Sequence, residues 1–287
     1  MQTYDEQSSG TAYLTYDAIP PLPSDIDQQQ LLEHMAARFT SKLWTDNIDA
    51  INCLRQINKS CPSASNQICS IFWNSILQLL ETPKTTVCKT MLVAFQEVFV
   101  QVGSGIDDVI VQALVPSLLY KTQNANTVLR FEAQKGLEYL TSYCIRESLI
   151  IGLCVCASDK NPKVCELAYK ALQKVLGAVG EQLINAQAST FKAIFVALKE
   201  ALTGKRSELK KHASVIVKGV YGLLGDANFT HLIQLLMTEG VLEDKDVENI
   251  KQSFEDESEQ KQPRLSDLLS RKRKLANAEA PEVFQGF

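Results

Sequence analysis

The sequence predicts an all-α solenoid, a stack of about six helical hairpins. Three observations carry that prediction. Apolar residues recur at helical spacing from Asp27 to about residue 255, with few interruptions, and a face with that period must be buried against a neighbour. Five short polar turns divide this stretch: Trp44-Thr45-Asp46-Asn47, Pro83-Lys84-Thr85-Thr86, Asn124-Ala125-Asn126-Thr127, Asp159-Lys160-Asn161-Pro162 and Thr203-Gly204-Lys205-Arg206. They stand roughly 35 to 44 residues apart, one helical hairpin per step. No run rich in Val, Ile and Thr alternates with polar residues, so nothing predicts a sheet.

Residues 1–27 are expected to form a disordered lead. They hold Pro20-Pro21-Leu22-Pro23, several Ser and Thr, and no helical period. The first helical pattern uses Leu31, Leu32, Met35, Ala36 and Phe39, and the second Ile48, Ile51, Leu54 and Ile57. A third runs through Ile68, Ile71, Phe72, Ile76, Leu79 and Leu80, with Trp73 read as core. Next come Val87, Met91, Ala94, Phe95 and Val98, then Val109, Val111, Leu114, Leu118 and Leu119. Val128, Phe131, Ala133, Leu137 and Leu140 follow, and then Val164, Leu167, Ala168, Ala171 and Val175. Phe191, Ile194, Phe195 and Leu198 precede a last pattern of Ala213, Ile216, Val217, Val220, Leu223 and Leu224. Breakers separate these patterns: Pro62, Pro83, Gly103-Ser104-Gly105, Asn161-Pro162, Gly177, Gly180, Gly204 and Gly225. Asn161 followed by proline reads as a helix cap with Pro162 in the first turn, where its missing N–H is harmless.

The period is that of HEAT repeats, and no such hairpin buries its faces alone. The stack is therefore read as one domain over 28–255. Residues 256–287 are read as a charged linker, a short basic helix with Leu265, Leu268 and Leu269 on one face, and a tail. Arg271-Lys272-Arg273-Lys274 closes that helix. This run fits a nuclear-import signal or a contact for an acidic surface.

Charge is unevenly spread. Residues 1–30 carry −5, residues 31–220 carry +6 and residues 221–287 carry −5. A basic body between acidic ends favours an acidic partner for the body. The eight cysteines show no C-x-x-C pair, and three histidines are too few to complete a zinc set. The thiols are read as reduced small hydrophobes. No cationic region followed by an apolar run opens the chain, so cytosol or nucleus is expected. His34, His212 and His231 stand far apart, and no nucleophile, phosphate-loop or metalloprotease motif is present. The expectation is a protein without catalysis, metal or cofactor.

Equivalent turns of a hairpin stack lie along one edge. That edge would carry Trp44 at one end, read as a local plug or an exposed anchor. Lys84, Arg130, Lys160, Lys163, Lys205 and Arg206 follow along it. Several positive turns on one edge could orient an acidic protein. Nucleic acid is disfavoured, because the body is only mildly basic and carries no recognised nucleic-acid motif.

The segment Trp44 to Leu54 resembles the opening of a TOG domain, the tubulin-binding HEAT-repeat module. Trp44 and Ala50 match, whereas Asn47 stands where the family has arginine. Leu114 to Leu119 and Asn126 to Arg130 resemble its middle repeats. Lys160-Asn161-Pro162-Lys163-Val164 resembles its fourth turn, with Cys165 in place of a second arginine, and Lys205-Arg206 fall at the fifth. Phe229 to Leu232 and Asp246 to Ile250 resemble the closing helices of the CLASP and crescerin branches. The resemblance spans about 40–252 and implies a non-enzymatic binder of αβ-tubulin or microtubules. It implies that Trp44 packs on tubulin and that Lys84, Arg130, Lys160, Lys163, Lys205 and Arg206 pair with its acidic face. Thr85, Asn126 and Asn161 complete the contact set. An accessory role in the cytoskeleton, at a cilium or centrosome, is expected. A generic HEAT scaffold for another protein or peptide, and a nuclear or RNA-associated helical-repeat protein, remain as alternatives.

Overall fold

The computed structural model describes residues 14–22, 27–179 and 188–255. Among them are twelve α-helices and no strand. They are α1 (Gln28–Phe39), α2 (Trp44–Ser60), α3 (Pro62–Ile71), α4 (Trp73–Glu81), α5 (Thr85–Val102) and α6 (Asp108–Lys121). Then follow α7 (Thr127–Tyr143), α8 (Glu147–Ala157), α9 (Pro162–Val179), α10 (Ala188–Thr203), α11 (Ser207–Thr238) and α12 (Asp244–Glu255). The four-base run and the basic helix read at the C-terminus lie outside the described residues.

Successive helices pair as hairpins, and the hairpins stack in two layers. One layer brings α6 against α8, α8 against α10 and α10 against α12. The other brings α2 against α5, α5 against α7 and α9 against α11. α5 lies inside the stack: Met91, Leu92, Phe95 and Phe99 are all essentially inaccessible. One continuous apolar cluster runs from Leu31 to Ile250, as a stack without separate cores requires.

Two glycines shape the chain where other residues would be strained. Gly103 ends α5 at φ 57°. Gly225 bends α11 with φ 72° and ψ 170°, so the helix is two segments meeting at a corner. The second segment folds back with α12 as the sixth hairpin. Gly219 and Gly222 lie inside the first segment.

Three sequence expectations are corrected. The pattern from Ile68 to Leu80 is two helices, broken at Phe72 (φ −99°, ψ 15°), whose ring packs on Phe39 of α1 at 5.3 Å. Trp73, read as core, is half-buried and edge-on to Phe95. Val109, Val128 and Phe131, read as apolar-face residues, are exposed. Geometry explains Phe131: it stands two positions, about 200° around the helix, from the buried Ala133, so both cannot share one face.

Part of the N-terminal lead, residues 14–22, is described, and the rest of it, 1–13 and 23–26, lies outside the described residues. Residues 14–22 lie along α2. Ile19 is 1% exposed. A segment without helical hydrogen bonds needs donors for its carbonyls, and α2 supplies them. Arg55 Nη2 donates to Leu14 O at 2.9 Å. Lys59 Nζ donates to Tyr16 O at 3.2 Å and Ile19 O at 3.0 Å, and sits over the Tyr16 ring. The same Arg55 guanidinium makes a two-pronged ion pair with Glu97 of α5, at 2.9 and 2.6 Å.

Candidate functional site

The five turns expected on one edge are linked in sequence by contacts. Lys84 Nζ of the second turn sits 4.7 Å above the ring of Trp44 in the first. Asn126 Nδ2 of the third turn donates to Thr85 Oγ1 at 3.4 Å. Tyr120, just before the third turn, donates its hydroxyl to Asp159 of the fourth. Arg206 of the fifth turn lies against Cys165 beside the fourth. Asp159, Tyr169, Lys205 and Arg206 also line a shallow cleft between the last two turns.

Local chemistry fixes each turn. Asn126 caps α7, its Oδ1 accepting from the Val128 N–H at 2.9 Å, and Arg130 Nη1 braces the loop by donating to Asn124 O. Asn161 caps α9 by accepting from the Lys163 N–H at 3.1 Å, and its own N–H donates to Asp159 Oδ1. The Tyr120 hydroxyl and the Asn161 N–H hold the Asp159 carboxyl below its ordinary pKa, and the same bond raises that of Tyr120. The amides of Asn126 and Asn161 therefore build the edge, and the side chains free to meet a partner are fewer than the sequence set.

Those free groups form a pattern. Trp44 is 36% exposed beside the more exposed Leu43. Among the described residues no ion pair engages Lys160, Lys163 or Lys205. By contrast, Lys121, Arg146, Lys170 and Lys199 each hold an acid. Asn47 and Cys165 are both buried. Asn47 closes the α1–α2 turn, its amide donating to Arg38 O at 2.9 Å and Ser41 O at 3.1 Å. Cys165 Sγ reaches Asp159 O. Burial raises the Cys165 thiol pKa more than the Arg206 charge lowers it.

Sequence reasoning missed three apolar residues on the edge: Leu43, Val128 and Phe131. A helical wheel of α7 would have found the last two, because they lie three positions apart on the side away from Ala133 and Leu137. Among the described residues, no cluster of three metal-ligating side chains occurs, and no helix is long and apolar enough to cross a membrane.

No protein-family profile matches the sequence, and no curated protein is similar enough to match it. Solved structures do match. A TOG domain of Zyg9 from C. elegans aligns with TM-score 0.53 and 14% identity, covering 82% of this chain and 88% of that one. A structure concerned with microtubule plus-end tracking by XMAP215, CLIP-170 and EB1 aligns with TM-score 0.51 and 14% identity. It covers 83% of this chain and 94% of the other. The MAST/Orbit N-terminal domain aligns with TM-score 0.46 and 17% identity, over 83% of this chain and 99% of that one. Six stacked hairpins, turns linked along one edge and this structural likeness give the chain the fold of a TOG domain, a HEAT-type α-solenoid.

Proposed function

We propose that the protein binds αβ-tubulin through its turn edge and regulates microtubule organisation in the cytoskeleton, without catalysing a reaction. The observation that carries this reading is the edge itself. Five turns in contact present a half-exposed tryptophan at one end and ion-pair-free lysines at the other. A Trp on a braced turn suits an aromatic anchor, and free lysines suit the orientation of an acidic face. The likeness to structures from microtubule plus-end tracking and of a TOG domain points the same way. In this reading Trp44, Lys160, Lys163 and Lys205 make the principal contacts. Lys84 holds the Trp44 ring in place, while Thr85, Asn126, Asn161 and Arg130 shape the turns.

The test is gel filtration of the full chain with unpolymerised tubulin at low salt, beside the Trp44→Ala variant. Co-elution that weakens in the variant supports the reading. A full chain that neither co-elutes with tubulin nor pellets with stabilised microtubules would leave a HEAT scaffold for another protein.

A further inference from the structure

The second layer parts between α7 and α9. Its other successive helices pack closely, whereas α7 and α9 meet lightly. A bridge closes the parting at the end away from the turns. Lys174 Nζ on α9 donates to Ser142 Oγ at 2.8 Å and Thr141 Oγ1 at 3.1 Å on α7. Eleven residues make about three helical turns. Phe131 therefore lies on the same face of α7 as Ser142, and Lys163 on the same face of α9 as Lys174. The two occupy matching levels on either side of the parting, at its turn-edge end. Phe131 is 62% exposed, the highest value for any Phe, Tyr or Trp among the described residues, and Val128 beside it is 42% exposed. Single exposed apolar residues are ordinary. Two of them one helical turn apart, opposite an unpaired lysine, make a site with a chemical preference.

We infer that this parting is a second anchor of the turn edge, which takes an apolar side chain flanked by carboxylates from the bound tubulin. The inference rests on the tubulin reading above. Charge sets the occupant. A purely apolar group would cover Lys163 without offering it a partner, and a desolvated unpaired charge is unfavourable. A second copy of this basic body would bring like charge to the same place. An acidic protein segment with one apolar residue satisfies both walls.

The test is a fluorescence titration of the full chain with unpolymerised tubulin, for wild type, Phe131→Ala, Lys163→Ala, the double variant and Trp44→Ala. Phe131→Ala should raise Kd by at least about 10-fold with an unchanged melting temperature, because the ring is exposed. Phe131→Ala and Lys163→Ala should combine to less than the product of their separate effects, because they share one occupant. Phe131→Ala binding within about twofold of wild type, while Trp44→Ala loses binding, overturns the second anchor and leaves the tubulin reading intact. Independent effects of Phe131→Ala and Lys163→Ala would also overturn it. Wild type that neither binds unpolymerised tubulin nor pellets with stabilised microtubules overturns both.

Discussion

Arg55 shows how a single buried charge organises its surroundings. Its side chain is inaccessible, its partner Glu97 is 11% exposed, and the pair ties α2 to α5. Its remaining donors reach Leu14 O and Asn52 Oδ1. Removing one member of a buried pair leaves the other charge uncompensated, which costs about 3–5 kcal/mol. Glu97 keeps slight access to water, so the lower end applies. Arg55→Met is expected to lower unfolding stability by about 3 kcal/mol in a urea titration. Adding Glu97→Leu should recover part of that loss, since no charge is then stranded. The variant should also free residues 14–22, which limited proteolysis near Tyr16 would detect. Asn47 makes a complementary point. It is buried with its amide occupied, so at this position the side chain closes a turn and is not free to meet a partner.

At the scale of the helix, two features of the C-terminal hairpin give predictions. Gly225 adopts a backbone conformation that L side chains rarely reach, yet a Cβ there would meet nothing within 4 Å. Any penalty for Gly225→Ala is therefore backbone strain, about 1–3 kcal/mol, and it should appear as a lower melting temperature. Straightening the bend would also part Tyr221, before it, from Phe229 and Phe254, after it. The second feature is Asp246, a buried carboxylate that accepts from Lys199 Nζ of α10 and from the Glu243 N–H. Burial alone would raise its pKa. The bonds from Lys199 and Glu243 outweigh it, so the folded value is depressed. A depressed carboxylate stabilises the fold above its unfolded pKa, near 3.9, and that stability is lost as pH falls through the lower folded value. Asp246→Asn should melt below wild type at neutral pH, and the gap should narrow once pH drops below about 4.

These elements also mark what the sequence could disclose. Apolar period, turn spacing and the glycine at 225 made the hairpins legible, because helix packing writes its demands into residues three and four apart. The break at Phe72 was hidden because the ring that Phe72 packs on, Phe39, lies on another helix. The docking of residues 14–22 was hidden for the same reason, since its donors belong to α2. The turn edge was legible as a row of residues. Which side chains were consumed in capping depended on loop geometry that spacing alone does not fix, as at Asn126 and Asn161.

At the scale of the whole molecule, the net charge of −4 conceals a body of +6 between two acidic ends. Net charge would predict weak repulsion from an acidic partner, whereas the body's positive excess and the unpaired lysines on its edge predict attraction. The two are separable by kinetics. Steering by surface charge acts mainly on the association rate and fades as salt shortens the screening length to about 8 Å at physiological ionic strength. A buried aromatic anchor acts mainly on dissociation. With tubulin immobilised and the full chain as analyte, the association rate of wild type should fall steeply from low to physiological salt. Lys160→Glu combined with Lys163→Glu should slow association by about 10-fold at low salt and flatten its salt dependence. Trp44→Ala should instead speed dissociation and leave the salt dependence of association in place. A double variant that kept the full salt dependence of wild type would place the steering field elsewhere on the body, and the edge would then be a surface of shape alone.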